Sequence, residues 1–443
     1  MAAGVAGYCG EAAGGADEAG GEDVYGSAKG EVDPRVDAEK VTSQELPVLP
    51  ERVILPMPAC HRVAERSEEV PMSEAHRGRA HDAIGKGLAY LRGAQDGCGG
   101  WMVEVTAAPT DAPDRPSPIA VAVTALVVKG MLQADGEAHE GREVQRGLGF
   151  IRLARNEDGS YEGGALTNYV TSTVVSALAG LEDASNREAV DRGVGWLEGS
   201  QWDQSEGLSP RQDWFGGAGY GRRGRPDLSN TQMMLEALYD AGKSPDEPAF
   251  QKALAFLSRT QNLEATNGAS WAGNDGGFVY TCANGGESMA SEYAGEGRYG
   301  EKLPEGTARS LRSYGSMTYA GFKSLLYAGL SPDDERVRAA FDWIRRHWTL
   351  DENPGLGEQG LYYYYHAMAR ALRVAQQDRV ADVEGRVHNW REELVEALVA
   401  RQRADGRWEN RADRWLEGEA VLSTAYAVLA LEEALKPAGA GGE

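Results

Sequence analysis

One skeleton recurs along this chain and limits what it can fold into. Between Ala83 and Trp101 an apolar helical run with Leu88, Tyr90 and Leu91 leads to Gln95-Asp96-Gly97 and ends on Trp101. Five later segments keep this spacing. They are Leu148, Phe150 and Ile151 to Arg155, then Asp158-Gly159-Ser160-Tyr161; Val194, Trp196 and Leu197 to Gln201-Trp202; and Leu254, Phe256 and Leu257 to Gln261. Phe341, Trp343 and Ile344 to Trp348 follow, and then Val395, Ala397 and Leu398 to Gln402 with Asp405-Gly406-Arg407-Trp408. A repeated unit of this size cannot bury its apolar face alone, so the copies must stack. After each copy comes a second helix rich in small and apolar residues, over 119–132, 168–181, 229–241, 315–328, 362–375 and 419–435. Each begins just past a cluster of Gly, Pro, Ser or Asp, the usual start signal.

An open stack needs polar terminal repeats, but the last copy, ending LSTAYAVLALEEAL, is as apolar as the middle ones. The six pairs are therefore expected to close on themselves. The predicted fold is an all-α (α/α)6 toroid, with the first helix of each pair on an outer ring and the second on an inner one. The Gln…Asp-Gly-x-Trp ending reads as a staple. Asp-Gly supplies the turn and a left-handed position, Gln bonds loose backbone groups, and Trp packs across the junction to the next pair.

This repeat resembles the prenyltransferase and squalene-cyclase repeat, the QW motif of the terpenoid cyclases, and the arrangement is similar to their α/α toroid. The resemblance covers roughly 73–436 and implies an apolar, isoprenoid-like ligand in a central cavity. The family's chemistry does not carry over with it. Squalene-type cyclases protonate an olefin with Asp-x-Asp-Asp, which this chain lacks; Asp333-Asp334 in SPDDERV reads as a helix start. Protein prenyltransferases hold zinc with Asp-x-Cys on one inner helix and a His on the next. LYYYYHAMARAL resembles the His-bearing part, with His366 in the ligand's place, but Leu311 to Gly321 offers neither Asp nor Cys. One His cannot hold zinc, so no metal and no cofactor are expected, the remote completion of a site by Cys282 and Glu287 aside. In Asn353 to Gln359, which compares with the thioester loop of complement-like toroids, Leu356 occupies the cysteine's slot.

Polar residues on otherwise buried inner helices mark where a lumen site would lie. Tyr362, His366, Arg370 and Arg373 form one stripe. Asn168, Ser172 and Ser176 form another, with Asn230, Ser316, Lys323, Glu419 and Ser423 on further helices. If the ring closes, these helix starts meet at one mouth. His366 and Glu419 are the candidates for proton transfer, and Asn168, Asn230, Ser316, Tyr362, Tyr365 and Ser423 for ligand binding. Tyrosine faces suit a cationic or isoprenoid ligand and equally suit plain packing. The insertion 262–312 is read as a rim lid with Trp271, Phe278 and Tyr280 as its apolar contacts. Two other readings stay open. One is a noncatalytic binding or scaffold toroid, which the missing motifs favour. The other is a carbohydrate-active toroid pairing Glu419 with Asp227 or Glu358, for which the carboxylates must stand roughly 5 to 9.5 Å apart.

The charge balance, 45 basic against 68 acidic residues, argues against a nucleic-acid or anionic-membrane partner. An apolar small molecule and a protein remain as partners. Cys9, Cys60, Cys98 and Cys282 lie outside any CxxC pairing, so neither a disulfide framework nor a zinc knuckle is expected. No run approaches membrane-spanning length and no leader signal opens the chain as written; a cytoplasmic protein is expected, unless a misassigned start hides a leader. Residues 1–72 read as a disordered acidic, Gly- and Ala-rich tail with an apolar patch at Val53 to Leu55. Residues 73–436 read as the toroid and 437–443 as a second disordered tail.

Overall fold

The computed structural model describes residues 71–103, 116–161, 166–222, 224–269, 271–283, 313–413 and 415–437. Nearly all of both expected tails, the patch at Val53 to Leu55, and 284–312 of the long insertion with Glu287 lie outside the described residues. Among the described residues twelve α-helices follow one another. They are α1 (Glu74–Gly93), α2 (Pro118–Ala134), α3 (Arg142–Leu153), α4 (Thr167–Leu178), α5 (Ala184–Ser200), α6 (Leu228–Asp240), α7 (Pro248–Thr260), α8 (Gly315–Tyr327), α9 (Glu335–Arg346), α10 (Leu361–Val374), α11 (Trp390–Arg401) and α12 (Ala420–Leu435). Two short antiparallel ribbons, β1 (Ala218–Gly219) with β2 (Pro226–Asp227) and β3 (Val380–Ala381) with β4 (Val387–His388), sit in the connections.

The two kinds of helix differ as their sequences require. The odd-numbered helices are amphipathic: α3 buries Val144, Leu148 and Ile151 and exposes Gln145 and Gly149. The even-numbered ones are buried all round, as α2 is from Ala120 to Met131, which only an inner position satisfies. Each inner helix packs on the next, α2 on α4, α4 on α6, α6 on α8, α8 on α10, α10 on α12, and α12 back on α2. The outer ring closes too, because α11 and α12 both pack on α1. The fold is the expected all-α toroid.

Closure is made by the repeat endings. Trp101 donates its backbone N–H to the Thr124 hydroxyl at 3.0 Å and its indole N–H to the Leu91 carbonyl at 2.6 Å. Trp408 repeats both bonds, to Thr424 at 3.0 Å and Leu398 at 2.8 Å. Tyr161, Ala218 and Phe278 make the same backbone bond to Thr171, Thr231 and Thr318. Thus Phe278 is the stapling aromatic of its own repeat and not a lid contact. Trp202, by contrast, leaves the staple for a satellite cluster with Leu208 and Phe215, and Ala218 fills its slot. Each Gln amide then bridges forward to the next outer helix. Gln95 donates to Glu143, Gln201 to Ala249 and Gln261 to Arg336, all carbonyls at 2.8 to 2.9 Å. Gln402, in the last copy, donates to the Ala83 carbonyl of α1 at 2.9 Å and so joins the end of the ring to its beginning.

Close approach at these junctions demands glycine. Gly406 has φ +91°, and a Cβ there would stand 2.4 Å from the Lys86 carbonyl oxygen. In the first copy the left-handed residue is Gly99, not Gly97 of the Asp-Gly pair. Gly385 also has positive φ, +82°, but its Cβ would meet open space. Gly406→Ala is therefore expected to destabilise the fold clearly more than Gly385→Ala, which pays only a backbone penalty of roughly 1 kcal/mol, as read by urea unfolding. Equal losses would show that the junction does not hold the ring.

Candidate ligand chamber

The inner helices run in parallel, so residues one turn apart line successive levels of the lumen. Their first turns enclose a chamber of about 150 Å³, with Ile119, Ala122 and Val123 from α2, Tyr169 and Val170 from α4, Ser316 and Met317 from α8, Tyr363 from α10, and Leu422 and Tyr426 from α12. That is room for on the order of ten waters, or a comparable number of methylene-sized groups. Connections complete the wall with Tyr220, Tyr280, Leu356, Trp415, Leu416 and Glu417. Tyrosine pairs brace it: the hydroxyls of Tyr169 and Tyr426 lie 3.0 Å apart, and those of Tyr220 and Tyr280 lie 2.9 Å apart. Tyr363 meets Tyr426 edge-on at 5.8 Å between centroids and accepts from Gln232 Nε2 at 3.0 Å.

Beyond Leu126, Tyr363 and Tyr426 the lumen becomes ionic. Lys129 binds Asp240 at 2.9 Å, Lys323 pairs with Glu236, and Arg370 pairs with Asp240 and, at 3.2 Å, with Glu433. Arg373 takes the other oxygen of Glu433. Burial raises the Glu236 carboxyl, but Lys323, Lys129 and Arg370 more than offset this and hold it well below its ordinary range. The network fills the last turns of the inner helices, leaving the apolar chamber at the other end.

His366 lies at this boundary. It lines the small cavity below the chamber and stacks on Tyr426 at 5.9 Å. Burial, with nearby lysines, pushes its imidazole down to about 4, so it is neutral at pH 7. Glu419 precedes α12 and lines neither cavity. Glu417, two residues earlier, faces the chamber instead. Its carboxylate accepts from the backbone N–H groups of Tyr362 at 3.2 Å and Tyr363 at 2.7 Å and from Asn410 Nδ2 at 2.8 Å. Helix α10 starts at Gly360 with no side-chain cap of its own, so an acceptor from another repeat satisfies its exposed donors. Leu416, at φ +62°, turns that acid inward; a left-handed non-glycine residue costs about 1–3 kcal/mol and persists only where the surroundings hold it.

The remaining candidates divide between latches and packing. Ser316 lines the chamber, its hydroxyl accepting from Asn353 Nδ2 at 3.2 Å. Asn168 donates to the Asn230 side chain at 3.2 Å, and Asn230 in turn donates to Asp227, linking the starts of α4 and α6 rather than facing the chamber. Ser423 is buried, donating to the Glu417 carbonyl at 2.6 Å. Tyr362 and Tyr365 pack between the rings, with the Tyr365 hydroxyl on the Leu350 carbonyl and Arg401 over its ring. The lumen face of α10 is Tyr363, His366 and Arg370, one residue on from the expected stripe at its first turn. Cys282 is buried with its thiol donating to the Asp213 carbonyl, and Glu358 is exposed.

Burial pushes two acids at this end, Asp227 and Glu417, up to about 7. A carboxyl whose folded value exceeds its unfolded one stabilises fully below the unfolded value and loses that contribution as pH rises through the folded value. Between about pH 5 and about pH 8 Glu417 should cost up to about 3 kcal/mol; His366, depressed, acts oppositely below about pH 6.5. The difference between wild type and Glu417→Gln isolates the first effect. The variant is expected to gain relative stability with rising pH in chemical unfolding, and a pH-independent difference would contradict the burial argument.

Residues 110–278 match the squalene-hopene cyclase C-terminal domain. No curated protein matches the chain significantly. Among solved structures, D-mannose isomerase superposes with a TM-score of 0.52 at 12% identity, covering 82% of this chain and 99% of its own. The GH76A α-1,6-mannanase from Salegentibacter sp. HEL1_6 does so at 0.52 and 9%, covering 80% and 98%. A type II terpene cyclase from Scytonema aligns over 82% of this chain and 99% of its own at 14% identity, with a TM-score of only 0.31. At these identities the two toroids above 0.5 speak to the fold alone. Among the described residues no helix is long and apolar enough to cross a membrane. With five stapled repeat endings and a closed inner ring, the chain is an α/α toroid, and its residues 110–278 are similar to the squalene-hopene cyclase C-terminal domain.

Proposed function

We propose that this toroid binds an apolar, isoprenoid-class small molecule in the chamber at the starts of its inner helices. One observation carries the reading: a cavity of about 150 Å³, walled by aliphatic and tyrosine side chains, lies in a lumen whose other end is filled by ion pairs. Apolar walls with a few hydroxyls and amides at the edge suit a ligand held by burial and oriented by a few polar contacts. Of the sequence candidates, Ser316 belongs to this wall directly, and His366 stands just below it.

The reading is one of binding. Among the described residues Glu417 is the one acid lining the chamber, and both its oxygens already cap α10, which leaves it poorly placed to hand over a proton. Glycoside hydrolysis would need two carboxylates across the chamber. The mannose-acting neighbours therefore favour that alternative by fold only.

Farnesol, titrated against intrinsic fluorescence with Trp415→Phe as the control for the reporting indole, is expected to bind wild type. Ala122→Phe puts a ring into the chamber and should weaken farnesol by at least about tenfold. Its thermal midpoint should stay level or rise, since the ring fills space. A wild type that ignores farnesol, or an Ala122→Phe variant that binds it equally, would remove the reading.

A further inference from the structure

One amide in the chamber wall can stand only one way round. Asn353 is fully buried, and its Oδ1 accepts the Ser316 backbone N–H at 2.9 Å. Its Nδ2 donates one hydrogen to the Gln359 carbonyl at 3.1 Å and the other to Ser316 Oγ at 3.2 Å. Turning the amide over would set its NH2 against the Ser316 N–H and its oxygen against the Gln359 carbonyl, donor on donor and acceptor on acceptor. The group is also wedged in place, since a Cβ on Gly315 would stand 2.7 Å from Asn353 Oδ1.

Ser316 is thereby an acceptor toward Asn353, and its own hydroxyl hydrogen has to turn elsewhere. The residue lines the chamber at 3% exposure, and among the described residues no acceptor receives that hydrogen. A buried oxygen with one bond is tolerated, but a buried hydrogen with no acceptor is costly. Solvent can meet it in an open chamber. A hydrocarbon that fills the same space excludes solvent and offers nothing in return, whereas an oxygen on the ligand meets the need directly. The tyrosine pairs of the wall carry no such direction, because in Tyr169 with Tyr426 and in Tyr220 with Tyr280 either hydroxyl can be the donor.

Resting on the chamber reading above, we propose that the ligand is an oxygenated isoprenoid carrying an accepting oxygen, a carbonyl, ether or alcohol, and that the Ser316 hydroxyl donates to it. Ser316 is then the residue by which the chamber tells such a ligand from a plain hydrocarbon of the same shape.

The test titrates farnesyl methyl ether, which can only accept, and the hydrocarbon in which a methylene replaces its oxygen, against the intrinsic fluorescence of wild type, Ser316→Ala, Ser316→Thr and Tyr169→Phe. The ratio of the two affinities, compared between proteins, forms a double-mutant cycle in which the hydration of each ligand cancels. Ser316→Ala is expected to lower the ether-to-hydrocarbon ratio about tenfold through the ether alone, while Ser316→Thr, which keeps a hydroxyl, and Tyr169→Phe retain the wild-type ratio. Ser316→Ala also removes an acceptor from Asn353, and a purely structural effect of that kind would weaken both ligands alike and leave the ratio unchanged. An unchanged ratio in Ser316→Ala, or one that falls in Tyr169→Phe instead, overturns the assignment, while binding of farnesol leaves the chamber standing. Failure of farnesol, ether and hydrocarbon alike overturns both. Should Ser316→Ala fail to fold by circular dichroism, Ser316→Cys, with its weaker donor, takes its place: a lowered ratio supports the assignment and an unchanged one counts against it.

Discussion

The hydrogen bond from the Gln402 amide to the Ala83 carbonyl, together with Trp408 against Gly87, closes the circle on which the rest of the structure depends. Six inner helices that bury residues on nearly every side have no stable solvent-facing arrangement in an open stack. A single such bond is worth only about 1 kcal/mol. Its weight comes from repetition, since the same amide, the same backbone bond to a Thr and the same crowded glycine recur around the ring.

Closure also fixes what the lumen is. Parallel inner helices present residues of equal depth together, so first-turn aliphatics and tyrosines gather at one level and the later ionic residues at another. The ion pairs hold one end without an apolar plug. Buried pairs of this kind contribute little net stability against a hydrophobic alternative, but they define one arrangement of side chains, because removing a sole partner strands a charge. The chamber above them is apolar because, among the described residues, Glu417 is the only acid or base on its wall.

Glu417 shows how a residue can be indispensable in space and invisible in sequence. It serves helix α10 from 55 residues further on, because that helix begins with glycine and tyrosine and has no capping side chain of its own. No local pattern announces the pairing. Glu419 stands nearer the helix start and looks the better candidate, yet only Glu417 is aimed inward, by a left-handed Leu416 that composition alone would never suggest. The tyrosine run behaves similarly. Four successive tyrosines must point in different directions, and a rotation of about 100° per residue decides which one reaches the lumen.

The chain's sequence by itself determined the helix pairs, their alternation between amphipathic and wholly buried, and the closure of the ring, because these follow from spacing and from where apolar surface must go. His366 and Ser316 were legible as lumen residues for the same reason, standing on polar positions of buried helices. Asn168, Asn230 and Ser423 share that polarity but are spent on bonds between neighbouring elements, which sequence cannot distinguish from readiness for a ligand. Only the tertiary structure decided that Glu417 and Tyr363 face the chamber, that Tyr362 and Tyr365 do not, and that a network of ion pairs fills the lumen beneath it. Those facts depend on the rotation of each helix about its axis and on partners far along the chain, and both are fixed by packing after the ring has closed.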